Sequence, residues 1–180
     1  REPCFISPTS EDWRETCRCI HIMNQNVATS APFLVFTDLD GSLMEHESYS
    51  IEAAKPALAE LARRGVTPIF ASSKTAVEIL ATQRASGITA PFICENGAAI
   101  YDSSGQMLNA FGLPRTSWLH AVHQLRKRLS LRFTGFSDWP AEKIAELTGL
   151  SRADARKAQR REFTEPMLWQ DTQVNFQLFQ

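Results

Sequence analysis

From residue 33 onward, short apolar runs alternate with stretches in which apolar residues recur every three to four positions, a pattern of strands alternating with helices. The run 33–37 reads as a first strand. Residues 51–64 place Ala54, Leu58, Leu61 and Ala62 on one helical face and stop at Gly65, a residue type suited to a left-handed C-cap. Residues 66–71 then read as a short buried strand. Thr75-x-x-Glu78 has capping-box spacing and opens a helix that runs to about Ala85, before Gly87. The segments 91–94 and 98–101 read as two strands around Glu95-Asn96-Gly97, where Asn-Gly signals a tight turn. This alternation predicts an α/β fold with a parallel sheet covered by helices.

Beyond Asp102 the character changes. A polar turn at Ser103-Ser104-Gly105 precedes a predicted helix over 118–129 and a strand over 131–134. Two more helices are predicted, Ala141–Thr148 ending at Gly149, and 152–160 capped by Ser151. Residues 173–180 alternate polar and apolar positions and are expected to form a strand. The expected organisation is a loosely ordered N-terminal extension (1–32, with a short helix over 13–22), a partial core (33–104), and part of a second unit (105–180). Met23 is a candidate initiator, with the preceding residues as upstream translated sequence or the tail of a preceding fused domain.

Composition narrows the classes. The chain has 180 residues, 43% hydrophobic and 22% charged, enough to bury a core. The formal net charge of -1 gives no electrostatic case for nucleic acid as partner. Arg126-Lys127-Arg128 and the basic residues from Arg152 to Arg161 read as a solvated helix face or as attraction for an anionic substrate. No run has the length of a membrane span or the zones of a signal peptide, so no membrane partner and a cytoplasmic location are expected. Cys17-x-Cys19 lacks a second ligand pair at zinc spacing, and His120 and His123 stand without a partner motif.

The chemistry concentrates in Leu34 to Leu43, where an apolar strand ends in two carboxylates two positions apart followed by glycine. As the strand opens into a loop, Asp38 and Asp40 can converge on one phosphate and one Mg²⁺. Asp38 is then a candidate nucleophile forming an aspartyl-phosphate, and Asp40 a candidate acid and base. Gly41 permits the turn. The alternative is a strand-end turn in which Asp caps the next segment. Ser72, Ser73 and Lys74 follow the second strand at a helix start, where a hydroxyl and backbone donors suit phosphate oxygens; an N-cap cluster is the alternative. Asn96 is a candidate for the floor of the site, or a simple turn residue.

Asp-x-Asp-Gly at the end of the first strand resembles the first motif of the haloacid dehalogenase superfamily of phosphohydrolases, and Ser72 corresponds to its second. Thr37-Asp38-Leu39-Asp40-Gly41, Ser72-Ser73-Lys74-Thr75, Glu95-Asn96-Gly97-Ala98, Thr148-Gly149-Leu150 and Arg161-Glu162-Phe163-Thr164-Glu165-Pro166 occur in that order. Together they are similar to the mannosyl-3-phosphoglycerate phosphatase family. The resemblance implies a Rossmann-like core with an α+β cap, Mg²⁺ as cofactor, and hydrolysis of a phosphorylated sugar-glycerate; another sugar-phosphate phosphatase is the neighbouring alternative. It also implies that the cap selects substrate, which makes Arg161, Glu162 and Glu165 candidates for contacting a glycerate carboxylate or sugar hydroxyls; a helix end stopped by Pro166 is the other reading. Asp38 and Asp40 are the implied metal ligands. A later lysine and a Gly-Asp-x-x-x-Asp segment belong to the superfamily pattern and do not occur in this sequence. The expectation is therefore an incomplete core, weak or absent activity in this chain alone, and self-association through an exposed sheet edge, with a non-catalytic binding or dimerising module as the alternative class.

Overall fold

The computed structural model describes residues 34–45 and 50–179. The 13–22 helix, Cys17-x-Cys19 and His46 lie outside the described residues.

The larger sheet has five strands in the order β1 (Phe36–Thr37), β2 (Ile69–Ala71), β3 (Phe92–Cys94), β4 (Ala99–Tyr101) and β5 (Met107–Ala110). β1, β2 and β3 are parallel, with Phe36 opposite Ile69 and Phe70 opposite Phe92, while β4 and β5 run antiparallel to their neighbours. Parallel neighbours require crossovers, supplied by α1 (Lys55–Arg63) and α2 (Ala76–Ser86). Gly87 ends α2 at φ 71, the left-handed conformation that its position after the apolar pattern foretells. The core between sheet and α2 holds Leu39, Phe70, Ile79 and Phe92, all fully buried, and it also takes in Phe163 from far along the chain. Each such side chain contributes about 1.5–3 kcal/mol by leaving water.

The second half contains α3 (Arg115–Arg128), β6 (Phe133–Gly135), α4 (Ala141–Thr148), α5 (Arg152–Ala158), β7 (Met167–Trp169) and α6 (Gln173–Phe179). β6 and β7 form an antiparallel pair, and α4 and α5 enclose a small core of Phe136, Ala141, Ile144, Ala155 and Ala158.

The last segment departs from expectation: residues 173–179 are helical. Asp171 and Thr172 cap the helix, with Asn175 N donating to Thr172 Oγ1 at 3.2 Å and Asn175 Nδ2 donating to Asp171 Oδ1 at 2.9 Å. Phe176 and Phe179, three apart, both meet the Trp169 ring, at centroid distances of 5.2 and 5.5 Å. A helix places an i, i+3 pair on one side, whereas a strand would send the two to opposite faces. That aromatic contact outweighs the local alternation.

Candidate active site

β1 ends at Thr37, and the chain pins itself by driving Leu39 into the core. Its neighbours Asp38 and Asp40 are thereby kept at the surface end of the strand. The turn closes through Met44 N donating to Leu39 O (2.7 Å) and Gly41 N donating to Met44 O (3.0 Å), with Gly41 at φ 69, a conformation that glycine adopts without a Cβ penalty. Asp38 Oδ1 accepts from Leu39 N at 2.7 Å, which orients the carboxylate.

One strand over, β2 delivers Ser72, which is buried. Its N–H donates to Ile93 O at 3.1 Å and its Oγ accepts from Lys74 N at 3.3 Å. Thr75 caps α2: its Oγ1 accepts from Glu78 N at 3.3 Å, and Glu78 Oε2 accepts from Thr75 N at 2.9 Å, the reciprocal pair that its spacing predicts.

Asp38, Ser72, Ser73, Asn96 and Gly97 line one open cleft of about 320 Å³ at the carboxyl ends of the parallel strands, where open α/β sheets bind ligands. Lys74 points elsewhere. Its Nζ lies 2.9 Å from Asp40 Oδ1, in an ion pair that leaves this oxygen without an aligned hydrogen-bond donor, and it lines a separate cavity of about 340 Å³ with Met44, Glu78, Asp154 and Lys157. The Asp40–Lys74 pair thus joins the first loop to the second.

The candidates from the second half sit differently. Arg161 Nη1 donates to Ser73 O at 3.1 Å and to Thr164 Oγ1 at 2.7 Å, and its guanidinium lies 5.6 Å from the Phe136 ring centroid. Burial pulls the Arg161 pKa down from its usual value, against the nearby Glu95 charge. Glu165, whose side chain is only 2% exposed, pairs with Arg115 Nη2 at 2.8 Å and accepts from Ser137 N and Oγ, each at 2.7 Å. Glu162 is exposed, and its main-chain oxygen accepts from Arg115 N at 2.6 Å. None of Arg161, Glu162 and Glu165 lines the cleft; Arg161 Nη1 and the Glu165 carboxylate are engaged by other parts of the chain, while the buried Arg161 Nε has no hydrogen-bond partner.

Sequence reasoning missed Glu95. Its backbone has φ 48 and its carboxylate is buried beneath the segment that carries Arg161. A signal did exist, since a charged residue directly after the apolar Phe92-Ile93-Cys94 strand must find donors if the strand end is buried. Beside it, burial, followed by the charges of Glu95 and Glu162, pushes the Cys94 thiol up to about 12.

Among the described residues no group of three or more His, Cys, Asp or Glu side chains is placed to hold a metal ion. Asp38 and Asp40, whose Oδ1 is already paired with Lys74 Nζ, offer oxygen donors of the right kind for a hard cation, but fewer than the full oxygen shell that Mg²⁺ demands. The fit is partial.

Residues 35–177 match the haloacid dehalogenase-like hydrolase family. The chain belongs to that family. Solved structures agree in fold: a phosphatase of the haloalkanoate superfamily from Bacteroides thetaiotaomicron is similar at TM-score 0.54 and 15% identity, over 86% of this chain and 62% of its own. A Thermotoga maritima protein is similar at TM-score 0.52 and 20% identity, over 81% and 58%. A member of a phosphoryl-transfer superfamily with a conserved trigonal-bipyramidal intermediate is similar at TM-score 0.54 and 15% identity, over 82% and 61%. The chain of this haloacid dehalogenase-like hydrolase thus spans less than two thirds of the length of each. Among its described residues, no helix is long and apolar enough to cross a membrane.

Proposed function

We infer that this haloacid dehalogenase-like hydrolase cleaves a phosphate monoester through an aspartyl-phosphate on Asp38, with a phosphorylated sugar-glycerate such as mannosyl-3-phosphoglycerate as substrate. The observation that carries the reading is the convergence of the Asp38 carboxylate with Ser72, Ser73 and Asn96 on one cleft. An Asp38 oxygen forms a bond to phosphorus while the ester P–O bond breaks, and the leaving alkoxide takes a proton held by Asp40. Water then attacks the phosphorus, the Asp38–phosphorus bond breaks, phosphate departs, and the proton of the water passes to Asp40. Ser72 and Ser73 hold phosphate oxygens, and Lys74 keeps Asp40 in place through its ion pair. Mg²⁺, when bound beside Asp38 and Asp40, would neutralise charge on the phosphate; with so few protein ligands, affinity of about millimolar is expected.

The sugar-glycerate assignment draws on the order of the motifs, above all Ser72-Ser73-Lys74-Thr75 and Arg161-Glu162-Phe163-Thr164-Glu165-Pro166. Within it, exposed Glu162 is the candidate for direct contact with substrate hydroxyls, while Arg161 and Glu165 shape the segment that presents it. Phosphate release from mannosyl-3-phosphoglycerate, glucosyl-3-phosphoglycerate and a hexose phosphate, measured with the native gene product, tests both levels. Asp38→Asn is expected to lower turnover on every ester by about 10⁴-fold or more without changing the melting temperature. Turnover near the parental rate in that variant would remove the aspartyl-phosphate; a preference for the hexose phosphate would remove the sugar-glycerate and leave the mechanism.

A further inference from the structure

Three consecutive carbonyls of the loop after β2 are all taken, by partners from two distant segments. Ser72 O accepts from Asn96 N (3.1 Å), Ser73 O from Arg161 Nη1 (3.1 Å) and Lys74 O from Glu95 N (3.0 Å). The two segments are themselves joined through the Glu95 carboxylate. It accepts from Glu162 N (2.8 Å), Phe163 N (3.1 Å), Thr164 N (2.8 Å) and Thr164 Oγ1 (2.7 Å). Arg161 closes the ring: it donates to Thr164 Oγ1 at 2.7 Å and stands 3.9 Å from Glu95 Oε2.

A carboxylate withdrawn from water needs donors on its lone pairs, and charge-assisted bonds to main-chain N–H groups are among the strongest available. Glu95 has four. Its own backbone sits in the left-handed region at φ 48, which a glutamate holds only where the surroundings over-determine it, and Asn96, a residue type that tolerates this region, follows at φ 62. Asn96 and Gly97 are cleft residues, so the strained turn forms both the anchor of the distant segment and the wall facing Asp38. Phe163, in the middle of that segment, is embedded in the main core.

The structure assigns to Glu95 the role of a positioning residue: its carboxylate clamps residues 162–164, its main chain together with Arg161 clamps the Ser72–Lys74 loop, and the loop keeps its shape only while the distant segment is docked. This rests on reading the Asp38–Ser72 cleft as a phosphate site, and adds a residue that never touches phosphate.

The test uses the 180-residue chain, isotopically labelled, with amide hydrogen exchange and titration of inorganic phosphate as separate readouts. Glu95→Gln keeps the shape but turns one acceptor into a donor facing N–H groups; Thr164→Val, a milder change, removes one hydroxyl bond. Asp138→Asn is the comparison, because it breaks the Arg126 ion pair in the second half without touching the loop. Glu95→Gln is expected to raise exchange at Ser72, Lys74, Glu95 and Asn96 by about tenfold over the Asp138→Asn protein and to weaken phosphate binding by about tenfold, with Thr164→Val smaller in the same direction. A merely structural role would lower protection evenly along the chain. Exchange at those four amides within about twofold of the Asp138→Asn protein, in both variants, overturns the assignment. A parent chain that binds no phosphate would count against the phosphate reading, and the exchange comparison would still decide the clamp.

Discussion

Replacing Gly135 with alanine tests how tightly the Glu165 network is built. Gly135 has extended backbone, φ -135 and ψ 179, so any residue can adopt its conformation and the cost is purely spatial. An alanine Cβ would fall inside contact distance of Glu165 Oε1 and within 3.2 Å of both Glu165 Cδ and Pro166 O. The Pro166 oxygen cannot retreat, because it accepts from Phe136 N at 3.2 Å and the next residue, Met167, pairs with Gly135 in the β6–β7 register. The carboxylate must therefore move away from Ser137 and Arg115. Overpacking alone costs about 1–3 kcal/mol, and fully breaking a buried ion pair about 3–5 kcal/mol, so a partial displacement is expected to cost about 3 kcal/mol. That lowers the melting temperature by about 6–12 °C for a chain of this size. Urea unfolding of Gly135→Ala, Glu165→Ala and the double variant supplies a thermodynamic cycle. If the alanine acts through Glu165, its cost in the Glu165→Ala background falls by about 2 kcal/mol. Costs that add within about 0.5 kcal/mol would refute the steric argument.

Burial holds Cys94 as a neutral thiol with its pKa raised to about 12, so alkylation at this residue at about pH 8 should be slow in the native protein and fast in denaturant, as peptide mapping can show. Because the folded pKa lies above the unfolded one, this thiol should also make stability fall as pH rises from about 9 to about 12, a loss that Cys94→Ala should reduce, leaving the part due to the Tyr101 hydroxyl, whose pKa burial also raises. Asp138 is held below its usual range chiefly by its hydrogen bonds to Arg126; that stability is present above the ordinary aspartate pKa and is lost as pH falls through the depressed value, so Asp138→Asn should flatten the acid limb of a pH–stability curve. The outer edge of β1 faces no other described strand, and Leu34 and Phe36 beside it are 53% and 50% exposed. Sedimentation should therefore show concentration-dependent association that Phe36→Lys shifts toward monomer, and a concentration-independent monomer would refute it.

What the sequence makes legible here is local. The Thr75–Glu78 capping box, the Gly87 and Gly149 left-handed caps and the α4 and α5 helices arise from contacts within a few residues, and each is readable as a short pattern. Asp38 and Ser72 lie together for a related reason, because strand ends of a parallel sheet fall at one edge. The failures are long-range. β5, Met107–Ala110, is a weak strand former that depends on β4 across a bulge, and α6 depends on Trp169. Arg161 and Glu165 carry the residue types that recognise sugars and carboxylates, yet those same groups satisfy buried partners, Ser73 O in one case and Arg115 with Ser137 in the other. Nothing within a few positions of either residue encodes that competition.

The bond from Arg161 to the Ser73 carbonyl spans 88 positions, and it has a consequence for synthesis. At about 5–20 residues per second, Ser73 leaves the peptidyl-transferase centre about 4–18 s before its partner is made. During that interval the sheet through β4 and its covering helix can begin to assemble from their own residues, whereas the loop holds only to Asp40, Ile93, Glu95 and Asn96. A nascent chain stalled before Arg161 would thus carry a loop without its distant partner and a core without Phe163, and the pace of translation over that stretch sets how long the loop must wait.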